Sequence, residues 1–503
     1  MRRRGSTSAR AASAPAPAAL PPSPRPPPPL ARVSPFLAES NSALPWLFTP
    51  HTLVGLSVIV LAVTYAAFLL PAPQALHAEV AQDALRVRGV ACACLVFLGY
   101  CALQLRDSLL VRPHPSLWRL VHGCGLLYLC GLVYMLAFPP EGARRLLRVL
   151  LPELDAATGA PLAPAPPEHN SKSYGEDCRI YTPGDAGGPF ARVRESVDIF
   201  FVAHVVGWWA KGVFLRDWRL GWALSFTWEI LEYSFQSILP NFIECWWDHW
   251  IEDFLLCNGL GLWLGMLTVG ALNAKTYDWT GTDRDEPIAR DPLSQARRLA
   301  WQFTPYEFAR YEWRLFDSFY NFLAVALLIT LLEVVELNAF VLKFVLYLPP
   351  GHPLNIARLA LWFLLSLPAT HEYYDYVTHV TGPGPAAVQR IGPNLWLAIA
   401  IAAAETLLSL KVMQDTEFRH GLPSERSLAS YVPSTVVACW AVSLACFGVW
   451  CALKFAWRGQ LLSAPARKVT LNALAAVSMA SLVFLCYSQD VGSGLRYSAA
   501  AAH

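Results

Sequence analysis

Long apolar runs alternate with shorter polar segments along most of the chain. All but one of the runs are close to the ~20 residues that an α-helix needs to cross a bilayer, and the 318–347 run is longer. The pattern therefore predicts an all-α, polytopic membrane protein with about ten transmembrane helices. The runs lie near residues 50–71, 88–105, 117–138, 198–215, 218–239, 250–272, 318–347, 354–371, 394–412 and 434–456. An eleventh run, 469–487, is rich in small residues and could add a further helix.

The composition agrees with a membrane protein. Hydrophobic residues make up 55% of the 503 residues and charged residues only 15%, which is too little charge for the surface of an ordinary soluble protein. The net charge of +2 is nearly balanced, so nucleic-acid binding is not expected. Residues 1–45 are rich in Pro, Ala and Arg and are expected to be disordered, because such a segment cannot build a core.

The distribution of Lys and Arg predicts the orientation of the chain. Positive residues concentrate in the N-terminal tail, in the 273–316 loop and in the 457–468 segment, and all three lie on one side if ten helices alternate. Loops rich in Lys and Arg stay in the cytosol. We therefore expect a cytosolic N-terminus and a luminal 139–197 loop.

The stretch from Trp228 to Asn258 combines an apolar, aromatic-rich sequence with an unusual number of acidic residues. Glu229 and Glu232 lie three residues apart in the predicted 218–239 helix, so their side chains share one face, about 60° apart. A carboxylate in a transmembrane helix costs at least roughly 2.5–3.5 kcal/mol on insertion scales, so a cluster of them indicates a functional site. The acidic members are Glu229, Glu232, Glu244, Asp248, Glu252 and Asp253.

The residue types of this stretch indicate its chemistry. Carboxylates accompanied by the amides of Asn241 and Asn258 provide the oxygen ligands that hard cations such as Ca²⁺, Mg²⁺ and Mn²⁺ prefer. His204, in the preceding predicted helix, offers a base that titrates near neutral pH. At ~1.5 Å per residue, Glu229 and Glu232 lie about 16 and 21 Å along their helix, which places the site in the luminal half. A divalent ion with a base at this depth suits phosphoryl transfer on a phospholipid headgroup.

The twelve cysteines show no metal-ligand spacing, so most are expected to be buried as small apolar residues. Cys178 and Cys245 differ from the rest, because both fall on the predicted luminal side, where thiols can oxidise. A disulfide between them would hold the long luminal loop over the acidic stretch, and this is a further prediction.

Other polar residues in the apolar runs have simpler explanations. A lone histidine in an apolar helix is more often a hydrogen-bonded structural residue than a catalyst, and this alternative stays open for His204. Lys211 is expected to extend its amine to lipid phosphate at the membrane boundary. Packing between helices and function are equally good explanations for Glu333, Glu336, Asn338 and Glu405.

Two other classes of membrane protein also use intramembrane carboxylates. The CDP-alcohol phosphotransferases need paired Asp-Gly dipeptides, and this chain contains no Asp-Gly, so that class is disfavoured. A cation- or proton-coupled transporter stays as the alternative, although no internal repeat supports it. Release of a headgroup from a phospholipid would separate an enzyme from a transporter.

Several segments closely resemble one family, the phosphatidylserine synthases of the base-exchange type. Their sequences are more similar to the type 2 than to the type 1 enzymes. The similarity extends over roughly residues 47–412. The segments that carry it are AHVVGWWAK (203–211), WEILEYSFQ (228–236), LPNFIECWWDHW (239–250), DFLLCNGLG (253–261), KTYDW (275–279), QFTPYEF (302–308) and ELNAFVLKFVLYLPP (336–350), together with GEDCRIYTP (175–183).

The resemblance implies an activity and a location. In this family, at the membrane of the endoplasmic reticulum, the hydroxyl of L-serine replaces the ethanolamine headgroup of phosphatidylethanolamine with Ca²⁺ and without ATP or CDP activation. The resemblance further implies a catalytic membrane domain over residues 46–412. Membrane segments and a tail are expected over residues 413–503, and a homodimer is left open.

The resemblance also implies residue roles. Residues that match the functional residues of the family are present in this chain. They are His204, Glu244 and Asp248 for catalysis, Glu229, Glu232 and Asp253 for calcium binding, Asn241 and Asn258 for substrate binding, and Arg112, Gln302 and Pro305 for regulation. Within this set, His204 is the expected general base for serine. Asp248 or Glu244 would orient it or act on the leaving amino alcohol. Glu252 departs from the family, which usually has an aliphatic residue there.

Overall fold

The computed structural model describes most of the helical part of the chain. The described residues are 52–66, 70, 78–106, 115–139, 143, 146–147, 178–183, 187–239, 242–273, 311–346, 348, 351–381, 391–413, 432–456 and 463–500. The predicted N-terminal tail, residues 1–45, lies outside them.

Each predicted apolar run contains a helix, and all regular structure in the described part of the chain is helical. The helices are α1 (Thr52–Thr64), α2 (Ala78–Gln104), α3 (Pro115–Leu136), α4 (Ala191–Ser196), α5 (Ile199–Leu215), α6 (Trp218–Phe235), a π-helix (Asp248–Asn258) that continues into α7 (Gly259–Asn273), α8 (Phe319–Val345), α9 (Pro353–Thr381), α10 (Pro393–Met413), α11 (Ser434–Cys451), a π-helical turn (Ala452–Ala456) and α12 (Ala464–Ala500). The all-α fold predicted from the sequence is confirmed.

Eight helical segments among the described residues are long and apolar enough to cross a membrane. They include the continuous segment formed by the π-helix and α7, and also the C-terminal segment Ala464–Asp490. The two helices that carry His204 and the pair Glu229 and Glu232 are not among these eight. α5 is a shorter apolar helix, and α6 carries three charged residues, Arg219, Glu229 and Glu232.

The π-helix changes which side chains share a face. Its hydrogen bonds join residues five apart, whereas residues five apart in an α-helix point about 140° away from each other. Asp248, Asp253 and Asn258 follow one another at this five-residue interval. The wider turn therefore brings toward one side three polar residues that an α-helix would spread around its axis.

Glycines allow α5 and α7 to pack at unusually short distance. A Cβ atom at Gly261 would lie 2.6 Å from the carbonyl oxygen of Val205, and one at Gly265 would lie 2.7 Å from that of Trp209. Small residues four apart are a common basis of close packing between membrane helices. Because Val205 adjoins His204, this contact fixes the histidine relative to the π-helix that precedes α7.

A buried polar network ties α3, α9 and α10 together. Arg358 donates from Nε and a terminal nitrogen to the two carboxylate oxygens of Glu405, at 2.8 and 2.6 Å. Tyr128 and Trp362 donate to the same carboxylate. Asn338 donates to a hydroxyl of α10, 3.0 Å away. These contacts support the packing explanation for Glu405 and Asn338, because every bond joins neighbouring helices.

The prediction that Lys211 extends to lipid phosphate is wrong. Its amine lies 2.8 Å from a carboxylate oxygen of Glu336 and 4.0 Å from the ring centre of Trp208. Glu333, one turn from Glu336, accepts a hydrogen bond from Thr227. An ammonium group inside the bundle gains more from a carboxylate on the neighbouring helix than from a distant headgroup, and the sequence alone did not show that α8 lies beside α5.

We expect Gly261→Ala to destabilise the protein, because the added methyl group would overlap the backbone of α5. Overpacking of this kind costs about 1–3 kcal/mol. Thermal unfolding of the purified protein in detergent would measure the effect. Gly270→Ala on the same helix is the matched control, since no atom lies within 4 Å of its added Cβ. Equal melting temperatures for the two variants would contradict the close packing.

Candidate functional site

The site is built on α6. Asp217 caps the N-terminus of this helix by accepting hydrogen bonds from the amides of Arg219 and Leu220, at 2.8 and 3.0 Å. Within its last two turns, the helix presents Glu229 and Glu232 to the protein interior, where these residues are 0% and 5% exposed. The predicted pair is therefore shielded from both lipid and bulk water. Carboxylates this deeply buried need a compensating charge.

His249, on the first turn of the π-helix, lies among three carboxylates. Its Nδ1 atom is 3.3 Å from Oε2 of Glu229 and 3.3 Å from Oε2 of Glu232. Oε2 of Glu244 is 3.8 Å from the same nitrogen. The His249 side chain is completely buried. The imidazole thus lies at the centre of the cluster. It contacts the same carboxylate oxygens that could bind a cation.

Asn258, at the other end of the π-helix, completes one side of the cluster. Its amide nitrogen donates to Oγ of Ser225, at 2.8 Å, and to Oε1 of Glu229, at 3.1 Å. Three further buried atoms of this cluster lack a hydrogen-bond partner: Oδ1 of Asn258, Oε2 of Glu244 and Nε2 of His249. Two of them are oxygens, and buried polar atoms without partners are uncommon in native proteins. They leave acceptor capacity for a cation or a polar substrate.

A second histidine lies at a more open place. Nδ1 of His204 is 3.3 Å from Oδ1 of Asp253, and the two side chains keep 26% and 15% exposure. A carboxylate beside one ring nitrogen favours the tautomer that carries its proton there, which leaves the lone pair on Nε2. The pairing differs from the expectation that Asp248 or Glu244 would orient His204.

Asp248 and Glu244 have other neighbours. The carboxyl group of Asp248 lies close enough to that of Glu252 to interact with it, and the carboxyl groups of Glu244 and Asp253 are close in the same way. Glu252 is itself buried and accepts a hydrogen bond of 2.6 Å from Oγ of Ser196, on the short helix α4. The residue that departs from the family pattern therefore links the π-helix to the segment that precedes α5.

Cys178 and Cys245 form a disulfide. The predicted bond is confirmed, and it joins the segment before α4 to the residue next to Glu244. Cys245 is fully buried. The bond thus fixes the connection between α6 and the π-helix, where Glu244 projects toward His249.

The compact group of possible metal ligands differs from the set implied by the resemblance. Ligand atoms of Glu229, Glu232 and His249 all lie within 4.8 Å of one another, and we call these residues the buried trio. Carboxylate oxygens suit Ca²⁺, Mg²⁺ or Mn²⁺, and an imidazole nitrogen is also accepted by transition metals. Asp253, the third predicted calcium ligand, lies against His204 instead of inside the trio.

Sequence reasoning missed His249. It lies in the quoted WWDHW segment, beside Asp248, but an α-helical reading of the chain gave no reason to aim it at Glu229 and Glu232. Its only signal in the sequence was its position inside the acidic stretch.

Four of the predicted site residues fall outside the described part of the chain. They are Asn241 for substrate binding and Arg112, Gln302 and Pro305 for regulation.

Known proteins with similar sequences indicate the family of this chain. Residues 113–413 match the family model described as phosphatidyl serine synthase. The chain is 37% identical over 420 residues to CDP-diacylglycerol–serine O-phosphatidyltransferase 2 of Oryza sativa subsp. japonica. The matched region covers 83% of this chain and 90% of the relative. It is 35% identical over 405 residues to phosphatidylserine synthase 2 of Homo sapiens, covering 80% of this chain and 76% of the relative.

We expect twelve thiols to react with a thiol reagent after denaturation and reduction, and ten after denaturation alone, because two of the twelve cysteines are paired. Cys178→Ser should lower the unfolding temperature. A bond between residues 67 apart restricts the unfolded chain and thereby stabilises the folded state by roughly 2–4 kcal/mol. Cys130→Ser, at an exposed free cysteine, is the control. Equal thiol counts before and after reduction would contradict the bond.

Proposed function

The chain belongs to the phosphatidylserine synthase family, and from this premise we propose that it exchanges the ethanolamine of phosphatidylethanolamine for L-serine. Membership makes it a membrane phosphatidyltransferase. The observation that supports the specific reaction is the pairing of two sites on neighbouring helices. A buried cluster of carboxylates can hold a cation, and beside it the more open His204 can exchange a proton with a substrate.

The reaction is a substitution at phosphorus. The serine hydroxyl oxygen forms a new bond to the phosphorus of the phosphatidyl group, and the bond from phosphorus to the ethanolamine oxygen breaks. The proton lost by serine goes to the ethanolamine oxygen as that group leaves. One group that first accepts and then returns a proton is therefore sufficient, and no ATP is needed.

His204 fits the proton-transfer role better than His249. Asp253 holds its Nδ1 side, so Nε2 is available to accept the serine proton and to return it to ethanolamine. His249 is fully buried, and three carboxylates surround its Nδ1. We assign His204 as the general base and acid, Asp253 as the residue that orients it, and His249 to the buried trio.

Ca²⁺ is the cation that we propose for the trio. When bound there, it would neutralise negative charge on the phosphate of the substrate. Its fit is supported by the donor atoms, because Glu229 and Glu232 provide buried carboxylate oxygens and the unpartnered oxygens of Glu244 and Asn258 are also hard ligands. Asn258 supports Glu229 through its amide, which is consistent with a role in shaping the same pocket.

The phosphatidyl donor has a second candidate. Relatives from Oryza sativa and Arabidopsis thaliana carry names that specify CDP-diacylglycerol, whereas the vertebrate relatives are named phosphatidylserine synthase 2. In the described part of the chain, the hydrogen bonds and ion pairs of the buried trio join its members to one another, to Asn258 and to Glu244, and none comes from a lysine or arginine. The pyrophosphate of CDP-diacylglycerol carries more negative charge than a single phosphate, and cationic side chains would stabilise it. We therefore favour phosphatidylethanolamine over CDP-diacylglycerol.

The luminal face of the endoplasmic reticulum is the proposed location of the site. The disulfide next to Glu244 supports this side, because disulfides persist in the oxidising lumen and are rare in the cytosol. The cytosolic N-terminus follows from the distribution of Lys and Arg.

We expect membranes that contain this chain to incorporate labelled serine into lipid when phosphatidylethanolamine and Ca²⁺ are supplied. Glu229→Gln should abolish incorporation, because it removes a buried carboxylate of the cluster. The assay compares phosphatidylethanolamine, phosphatidylcholine and CDP-diacylglycerol as donors, with Ca²⁺ present or chelated. Released ethanolamine should equal incorporated serine.

The donors separate the alternatives. Incorporation from CDP-diacylglycerol alone, with release of CMP, would overturn the base-exchange proposal and establish the second candidate. No incorporation from any donor by correctly folded protein would contradict both and favour the transporter.

We also expect Ca²⁺ to raise the melting temperature of the purified protein, because a ligand that binds only the folded state stabilises it. Glu232→Gln should remove most of this shift. Glu336→Gln is the matched control, since Glu336 also lies inside the bundle but pairs with Lys211 outside the trio. A Ca²⁺-dependent shift that survives Glu232→Gln would exclude the trio as the calcium site.

A further inference from the structure

The C-terminal helices contact the site helix, although they lie beyond the family match, which ends at residue 413. α11 and α12 pack against each other, and we call them the C-terminal hairpin. Oγ of Ser443 and Oγ of Ser478 are 2.6 Å apart within it. α12 also packs against α6, the helix that carries Glu229 and Glu232. The hairpin is therefore part of the structure that surrounds the site.

Polar side chains hold the hairpin to α6. Nε2 of Gln236 donates to Oε1 of Gln489 at 2.9 Å, and both residues are buried. The indole nitrogen of Trp440 donates to Oγ of Ser234 at 2.9 Å. Ser234 and Gln236 flank the last turn of α6. Hydrogen bonds between buried side chains specify one relative position of two helices more strictly than apolar contacts do.

A third contact leads into the site. The hydroxyl of Tyr233 donates to Oδ2 of Asp490, 3.4 Å away. Tyr233 is completely buried, and its ring lies 4.3 Å from the ring of His249, centre to centre. The ring of Trp250 stacks at 6.4 Å. One aromatic ring thus lies between a carboxylate of the hairpin and the histidine at the centre of the buried trio.

We propose that the C-terminal hairpin positions His249: Asp490 fixes the hydroxyl of Tyr233, and the Tyr233 ring fixes the imidazole beside Glu229 and Glu232. Asp490 and Tyr233 are positioning residues, because neither is one of the proposed ligands. The inference deepens the proposed function and rests on it. It assigns to α12 a part in the site that the family match does not cover.

The arrangement resembles the support that outer residues give to metal ligands in other proteins. A ligand held in one orientation by surrounding contacts binds its ion more tightly, and loss of such a contact typically reduces metal affinity or activity about 10–100-fold. His249 needs this support because its Nδ1 lies at the same distance from two carboxylates, and a small rotation of the ring would bring it closer to one and take it away from the other.

The test uses the full-length protein with Tyr233→Phe, Asp490→Leu, the double variant and Asp490→Asn. Tyr233→Phe and Asp490→Leu each remove one half of the hydrogen bond. We expect each to lower kcat for serine incorporation about tenfold with little change in KM for serine, and to raise the Ca²⁺ concentration needed for half of the thermal shift. The double variant should match the single variants, because both act through the same contact.

Asp490→Asn distinguishes positioning from charge. Its amide oxygen can still accept the hydrogen bond from the tyrosine hydroxyl, so this variant should keep near wild-type kcat and calcium dependence. Trp440→Phe is the matched control for docking, since it removes another bond between the hairpin and α6 but does not face His249. It should leave both measurements unchanged.

Two results would overturn the inference. Wild-type kcat and calcium dependence in Tyr233→Phe and Asp490→Leu would show that the contact does not reach the site. An equal loss in Trp440→Phe would show that the hairpin acts only by general docking. If the wild-type protein incorporates no serine, the proposed function fails, and the calcium-dependent thermal shifts of the same variants still decide the positioning role.

Discussion

Compensation of buried negative charge is the constraint on which the rest of this structure depends. Glu229 and Glu232 lie inside a helical membrane protein where neither water nor lipid headgroups can solvate them. Unpaired charges in such surroundings cost several kcal/mol each, even after the protein relaxes around them. The imidazole of His249 is the group that contacts both carboxylates, and a bound divalent cation would meet the same need. The same demand for charge makes the cluster suited to a phosphate-bearing substrate with its cation.

Two local features bring these groups together. The glycines of α7 let the backbone of α5 pack directly against that of α7. This close packing places His204 beside Asp253. The π-helix before α7 places polar residues at five-residue intervals, and two of them, Asp253 and Asn258, contact α5 and α6. π-helical turns occur often at functional sites, where their wider turn redirects side chains at the expense of ideal hydrogen bonding. The disulfide at Cys245 then holds the end of this segment in place.

The two histidines differ in exposure, and that difference supports the separate roles proposed for them. His204 is partly open and has one carboxylate partner, which suits repeated gain and loss of a proton. His249 is enclosed by carboxylates on one side and by the ring of Tyr233 on another, which suits a fixed part of a cation site. Contacts from the C-terminal hairpin reach the second histidine, so the site draws on elements far apart in the chain.

The sequence by itself determined the helical membrane fold, the acidic stretch and the family of the chain. The length of apolar runs and carboxylates within them are local features that can be recognised from the sequence alone. It also placed Cys178 and Cys245 on one side, and thereby predicted their bond. Only the tertiary structure decided that His249 lies among the carboxylates, that Asp253 pairs with His204, and that Lys211 pairs with a glutamate of α8. These facts depend on the π-helical turn and on which helices are neighbours, and α-helical periodicity along one segment contains neither.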